Sequence, residues 1–156
     1  KNAEVHFIGH LQTNKVKYII DSVSMIQSVD SIKLAEEIDR HAGRIGRCQD
    51  ILIEVNIGGE KSKSGIAASG LEELVYQVSE LENIRVRGLM AIPPAGSSER
   101  FLFDMQKLYI DISQKKIHNI SMDYLSMGMS GDYEAAIKYG ANMVRIGRGL
   151  FGPRNY

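Results

Sequence analysis

The run Leu125-Ser126-Met127-Gly128-Met129-Ser130-Gly131-Asp132, followed by Met143-Val144-Arg145-Ile146-Gly147-Arg148-Gly149, decides how this chain is read. It parses as strand, loop, helix, strand and loop, with a hydroxyl and glycines where backbone N–H groups can hold a phosphate. Two adjacent strand ends carrying such groups match the phosphate corner of a β/α barrel, formed by the loops after its last two strands. Arg145, near the end of the final strand, needs acceptors for its donors.

Upstream of this corner, short apolar runs alternate with amphipathic stretches, the signal of a parallel sheet covered by helices. Strands are expected at 5–8, 25–29, 51–57, 86–92, 124–127 and 143–146, and helices at 12–21, 31–46, 70–82, 98–116 and 132–140. The run at 51–57 is nearly continuous apolar, as in a strand buried on both faces. Ser31 or Asp30 should cap the second helix, and Ser69 the third, which carries Glu72 and Glu73 in its first turn. Pro93-Pro94-Ala95-Gly96 should stop the fourth strand, and Gly140 should close the fifth helix in a left-handed turn. Six strands fit either an open doubly wound sheet or a (β/α)8 barrel. A parallel barrel closes only with eight, so the barrel reading has the first two β/α units missing. The chain also opens on Lys1, close to its first strand, as if entered partway along.

Composition narrows the function. The chain has 156 residues, 44% of them hydrophobic, consistent with one domain around a real core. Its 19 basic and 19 acidic residues are well mixed and the net charge is zero, which argues against a nucleic-acid or anionic-membrane surface. Cys48 is the only cysteine, so a disulfide framework is excluded and a reducing, cytoplasmic setting is expected. No apolar run approaches the ~20 residues of a membrane span.

Several motifs weaken on inspection. Gly147-Arg148-Gly149-Leu150-Phe151-Gly152 has the spacing of a dinucleotide fingerprint, but Pro153 follows and the chain ends at Tyr156, with no acidic residue at the required distance. The glycines then serve either phosphate contact or a tight terminal turn. Gly58–Gly65 lacks the glycine that a Walker loop places before its lysine and hydroxyl pair. His6, His10, His41 and His118 form no helical metal pair with acidic partners, although His10, just past a strand end, could line a pocket. Ser126 and Ser130 lack a nucleophile elbow, so a hydroxyl donated to a phosphate oxygen suits Ser130 better. Arg145 lies in an apolar strand, and an unpaired buried guanidinium is costly. Either a carboxylate such as Glu54 answers it or a ligand does.

His6–Lys15, Glu54-Val55-Asn56-Ile57 with Ser62-Lys63-Ser64-Gly65, Val86–Pro93, and Leu125–Ser130 together resemble the pyridoxal phosphate homeostasis proteins, single-domain relatives of the alanine racemase barrel. The resemblance runs in order over essentially the whole chain. It implies a (β/α)8 barrel binding pyridoxal 5′-phosphate (PLP), with residues 1–156 as one PLP-binding barrel domain carrying strands 3 to 8. It further implies that Ser130 and the backbone around Gly147 and Arg148 hold the cofactor phosphate, that Arg145 faces the pyridine nitrogen, and that Asn56 and Met90 line the pocket. The family's Schiff-base lysine is expected upstream of this chain, and none of the lysines from Lys1 to Lys138 falls in its motif, so no catalytic residue is assigned here. A guanidinium can only donate, which leaves the ring nitrogen unprotonated and the cofactor a weak electron sink. That suits a protein acting in vitamin B6 homeostasis, holding and delivering PLP with little turnover. A PLP-dependent amino-acid racemase of the same barrel type is the alternative, and a phosphate-binding barrel enzyme of another kind explains fewer of the motifs. The expected partners are the small-molecule cofactor and PLP-dependent apoenzymes, with no nucleic acid or membrane, and the expected state is a monomer.

Overall fold

A computed structural model describes residues 3–94, 96 and 99–153. Lys1, Ala95 of the proline loop, Ser98 at the expected start of a helix, and Tyr156 lie outside the described residues. Seven strands run parallel: β1 (His6–Phe7), β2 (Met25–Val29), β3 (Gln49–Asn56), β4 (Ile66–Ala67), β5 (Ile84–Ala91), β6 (Ile120–Met129) and β7 (Met143–Arg145). They pair in the order β1-β2-β3-β5-β6-β7, with β4 hydrogen-bonded to the end of β3. The extra two-residue β4 is too short for a period-2 signal. The helices are α1 (Ile32–Arg44), α2 (Leu71–Ser79), α3 (Arg100–Gln114), α4 (Tyr133–Lys138) and the single turn α5 (Arg148–Phe151).

Strands β2, β3 and β5 alternate between two cores. Ile51, Ile53, Val55, Val86 and Leu89 face outward against the helices, in one large cluster that also takes Leu34, Ile38, Leu74, Val78 and Met105. The concave face holds a small apolar cluster of Met25, Leu52 and Met90, with Ile92, Tyr124 and Met143 packed against it, and polar inward positions at Gln27, Glu54 and Ser126. In a flat sheet β2 and β7 would stand four spacings apart, roughly 19 Å at ~4.8 Å each. Gln27 Nε2 nevertheless lies 3.1 Å from Met143 Sδ. The sheet is therefore strongly curled, an α/β half-barrel wall with β1 and β7 at its two edges, and the closed eight-stranded barrel is not formed by these residues.

The helix boundaries correct some expectations. Helix α1 buries Leu34, Ala35, Ile38 and Ala42 on one face. Ser31 occupies its N-cap, but no side chain caps it; Asp30 instead accepts a 3.5 Å hydrogen bond from the Gly65 N–H. Helix α2 starts after Gly70, not Ser69, because a 3-10 turn over Ala68–Gly70 precedes it. The expected helix at 12–21 is only a 3-10 segment, Thr13–Tyr18, with Val16 its one buried residue. Ile20, just beyond it, is also buried in the core, and Ile19 packs against it. Gly140 behaves as expected: its φ is +88°, its N–H donates to Ile137 O at 3.0 Å, and Ala141 N–H donates to Ala136 O at 3.0 Å, a Schellman closure. Among the described residues no helix is long and apolar enough to cross a membrane.

Candidate functional site

Arg145 ends β7 on the concave face. Its Nη1 donates to Ser126 Oγ at 2.7 Å and its Nη2 to the Ala91 carbonyl at 2.8 Å. Ser126 donates in turn to Gln27 Oε1 at 2.7 Å, and Gln27 Nε2 lies 3.0 Å from His6 Nδ1. A line of hydrogen bonds thus crosses the concave face from β7 through β6 and β2 to β1. Neutral acceptors answer the guanidinium, and among the described residues it forms no ion pair with Glu54. Burial pushes the Arg145 pKa below its ordinary value, while the charges of Glu54 and Asp132 act the other way. Its remaining N–H donors meet no acceptor among the described residues.

Above this line opens a cavity of about 520 Å³ at the carboxyl ends of the strands. Its wall includes His6, Gln27, Ser130, Arg145, Gly147 and Arg148, and no acidic side chain lines it among the described residues. Ser130 follows β6 directly, and its Oγ accepts the Gly149 N–H at 3.0 Å. That bond leaves the hydroxyl proton free to point elsewhere. Among the described residues neither this proton nor the N–H groups of Gly147 and Arg148 find an acceptor. The glycine-rich tail at 147–152 forms the single turn α5, with Gly147 as its N-cap.

The other two expected residues lie elsewhere. Asn56 ends β3 and lines a neighbouring cavity of about 310 Å³, which shares Ile8 and Ile92 with the first. Its side-chain amide is spent on the following loop, donating to Glu60 O at 2.8 Å and Lys63 O at 3.3 Å and accepting from Glu60 N at 3.2 Å. Met90 lines neither cavity: next to last in β5 and in register with Glu54 and Ser126, it is fully buried against Met25 and Leu52. Ile92, two residues on and on the same face, takes the wall position instead. Of the two methionines beside the decisive run, Met127 is core and Met129 is cavity wall. Gln27 and the relay role of Ser126 escape the sequence reading. The signal for Gln27 was an amide inside a strand whose five residues are all buried, the same anomaly that singles out Arg145.

Glu54 is 8% exposed and accepts no hydrogen bond among the described residues. Burial raises its pKa above the ordinary carboxyl value and Asp30 adds to this, while His10 and Arg145 pull it back. A carboxyl raised in the folded state gives stability that is fully present below its unfolded pKa and lost as pH rises through the folded one. Glu54→Gln should therefore be more stable than the parent at pH 7, with the advantage vanishing toward pH 4. Asp123 and Glu37, whose pKa values are lowered by their arginine partners, lose stability on acidification in both proteins and cancel in the difference. Urea midpoints of the two proteins across this range check it, and a gap independent of pH would sink the assignment.

The alanine racemase N-terminal domain model matches residues 1–155. A pyridoxal phosphate homeostasis protein of Aquifex aeolicus is 45% identical over 98% of this chain, which spans 68% of that protein. Among solved structures, an unknown protein from Bifidobacterium adolescentis superposes with a TM-score of 0.90 at 37% identity, over 95% of this chain and 60% of that one. PipY of Synechococcus elongatus, with PLP bound, gives a TM-score of 0.85 at 32% identity, over 94% of this chain and 69% of that one. The chain thus spans roughly two-thirds of the length of these relatives, and less of the Bifidobacterium protein. On that agreement in sequence and in fold, it belongs to the alanine racemase N-terminal domain family and, within it, to the pyridoxal phosphate homeostasis proteins.

Proposed function

We propose that this chain binds PLP in the larger cavity and serves vitamin B6 homeostasis, holding the cofactor and handing it on with little or no turnover. The observation that carries the reading is the Ser130 hydroxyl, fixed by the Gly149 N–H with its own proton uncommitted, beside the unanswered N–H groups of Gly147 and Arg148. A phosphate offers only acceptors, and this corner offers only donors, with no carboxylate on the cavity wall to repel it. The relative with PLP bound supports the same choice of ligand.

Bound there, the cofactor supplies an aldehyde conjugated to an aromatic ring. Ser130 and the two backbone N–H groups would hold its phosphate, and Arg145 would face the ring nitrogen. Ser126 and the Ala91 carbonyl keep the guanidinium in place, and a guanidinium can only donate, so it would pair with the lone pair of an unprotonated ring nitrogen and repel a protonated one. Arg145 would therefore keep that nitrogen unprotonated, which weakens electron withdrawal and favours storage over turnover. Asn56 acts by pinning the loop beyond β3.

In the same reading, residues 1–156 form part of a single (β/α)8 barrel domain, six of whose strands correspond to barrel strands 3 to 8. The curl of the sheet and its two edges at β1 and β7 support closure by two further β/α units, which would bring the covalent lysine. A cytoplasmic monomer that passes PLP to apoenzymes completes the proposal.

Titrating the protein with PLP, pyridoxamine 5′-phosphate and pyridoxal, followed by ligand fluorescence, tests it. Both phosphorylated forms should bind and pyridoxal should bind far more weakly. Ser130→Ala should weaken PLP roughly 10- to 100-fold, the range for a hydrogen bond to a charged group of ~1.5–3 kcal/mol. Pyridoxal binding as tightly as PLP, or an unaffected Ser130 variant, would refute the phosphate site.

A further inference from the structure

The smaller cavity, of about 310 Å³, has a buried carboxyl as its most unusual feature. Glu54 points from β3 into it, more than nine-tenths buried, with no hydrogen-bond donor or ion-pair partner among the described residues. Its oxygens are not sealed in the core but open toward the cavity, and burial around them still disfavours the ionised form.

Among the described residues, Lys63, Arg145 and His10 are each engaged elsewhere or stand off. Lys63, on the cavity wall, reaches Glu60 Oε2 at 2.7 Å. Arg145 donates to Ser126 and Ala91. His10, also on the wall, meets Ser64 Oγ at 3.2 Å through Nδ1 and forms no bond to Glu54. Asp30, the other acid that acts on Glu54, deepens the negative potential instead of relieving it. Among the described residues no group of His, Cys, Asp and Glu is arranged to hold a metal ion, which leaves an organic cation as the fitting partner.

We infer that this cavity is a binding site for a small primary ammonium compound, its charged nitrogen seated on Glu54 and its carbon body against Ile8 and Ile92. An ammonium offers three N–H donors, so a single nitrogen can meet Glu54 and still reach the carbonyl and hydroxyl oxygens of the Ser62–Ser64 loop. Ile8 and Ile92 also border the cavity proposed for the cofactor, so an amine held here would sit next to that cavity. The inference does not depend on the cofactor reading, and its test is run without PLP.

The probes are n-propylammonium chloride, n-propanol as its uncharged match, and propionate as its opposite charge, each titrated into the full chain by NMR chemical-shift mapping. Propylammonium should give saturable shifts around Glu54, His10 and Ile92, while propanol and propionate should give none. Glu54→Gln should weaken propylammonium at least tenfold. Because this variant is expected to fold at least as stably as the parent near neutral pH, loss of binding cannot be blamed on unfolding. Ser130→Ala, on the other cavity, should leave the ammonium shifts unchanged. Absence of saturable binding to the parent protein, equal binding of propanol, or an unaffected Glu54→Gln variant overturns the inference, whatever the PLP titration gives.

Discussion

Gly88→Ala is expected to lower the free energy of unfolding by roughly 3–5 kcal/mol, the combined size of a strained backbone and an overpacked core contact. Gly88 lies inside β5 with φ at +149°, where a side chain is strained whatever space surrounds it. Space is also lacking. A Cβ built there would stand 1.8 Å from the Tyr124 carbonyl oxygen, 2.8 Å from its carbon and 3.0 Å from its nitrogen. These are backbone atoms of β6, and they cannot rotate aside as a side-chain tip can. Relief requires β5 and β6 to part where Gly88, Leu89 and Met90 pair with Tyr124, Leu125 and Ser126. That separation would also disturb Ala91 and Ser126, the two groups that hold Arg145. Gly46→Ala serves as the control, since Gly46 has φ of +65° but nothing within 4 Å of its would-be Cβ. It should cost only about 1 kcal/mol. Chemical denaturation of both variants decides the matter, and equal losses would show that the close approach to Tyr124 is not the cause.

The contrast between these glycines marks what the sequence can reveal. The cores of β3 and β5 are legible because strands buried on both faces must be apolar nearly throughout, and Ile51–Val55 and Val86–Ile92 are. Helices α1 and α2 are legible because Leu34, Ile38 and Ala42, or Leu71, Leu74, Val75 and Val78, repeat at helical spacing. Curvature leaves no such local trace. Nothing about Gln27 or Met143 alone shows that strands four places apart in the sheet touch, and the concave polar line exists only because they do. The same limit explains Met90 and Asn56. Both sit on inward-facing positions near strand ends, yet register and bulges decide which neighbours cover them: Met90 is packed against Met25 and Leu52, while the Asn56 amide is held by its own loop. The shift between Val86 and Gly88 is one such bulge. Arg145 and Ser130 were recognisable because each breaks a local rule, a charge in a buried strand and a hydroxyl at a glycine-rich strand end.

The polar line itself should prove tightly coupled. Ser126→Ala removes the acceptor for a charged Arg145 donor and the donor for Gln27 Oε1 in one step, at a position with no exposure. The expected loss is about 3 kcal/mol, because a buried charged donor left unmet costs ~1.5–3 kcal/mol and a neutral acceptor adds to it. Arg145→Leu alone should cost less, since it removes a buried charge and leaves only neutral groups behind. Combining the two should then be milder than the sum, for in the double variant no guanidinium remains to be stranded by the missing hydroxyl. A coupling of about 1.5 kcal/mol or more in the double-mutant cycle is expected from unfolding curves of the four proteins. Strict additivity would mean that the guanidinium finds water or another acceptor when Ser126 is cut back. In that event the hydroxyl would be a bystander, and the orientation of Arg145 toward the cavity would have to be fixed by the Ala91 carbonyl alone.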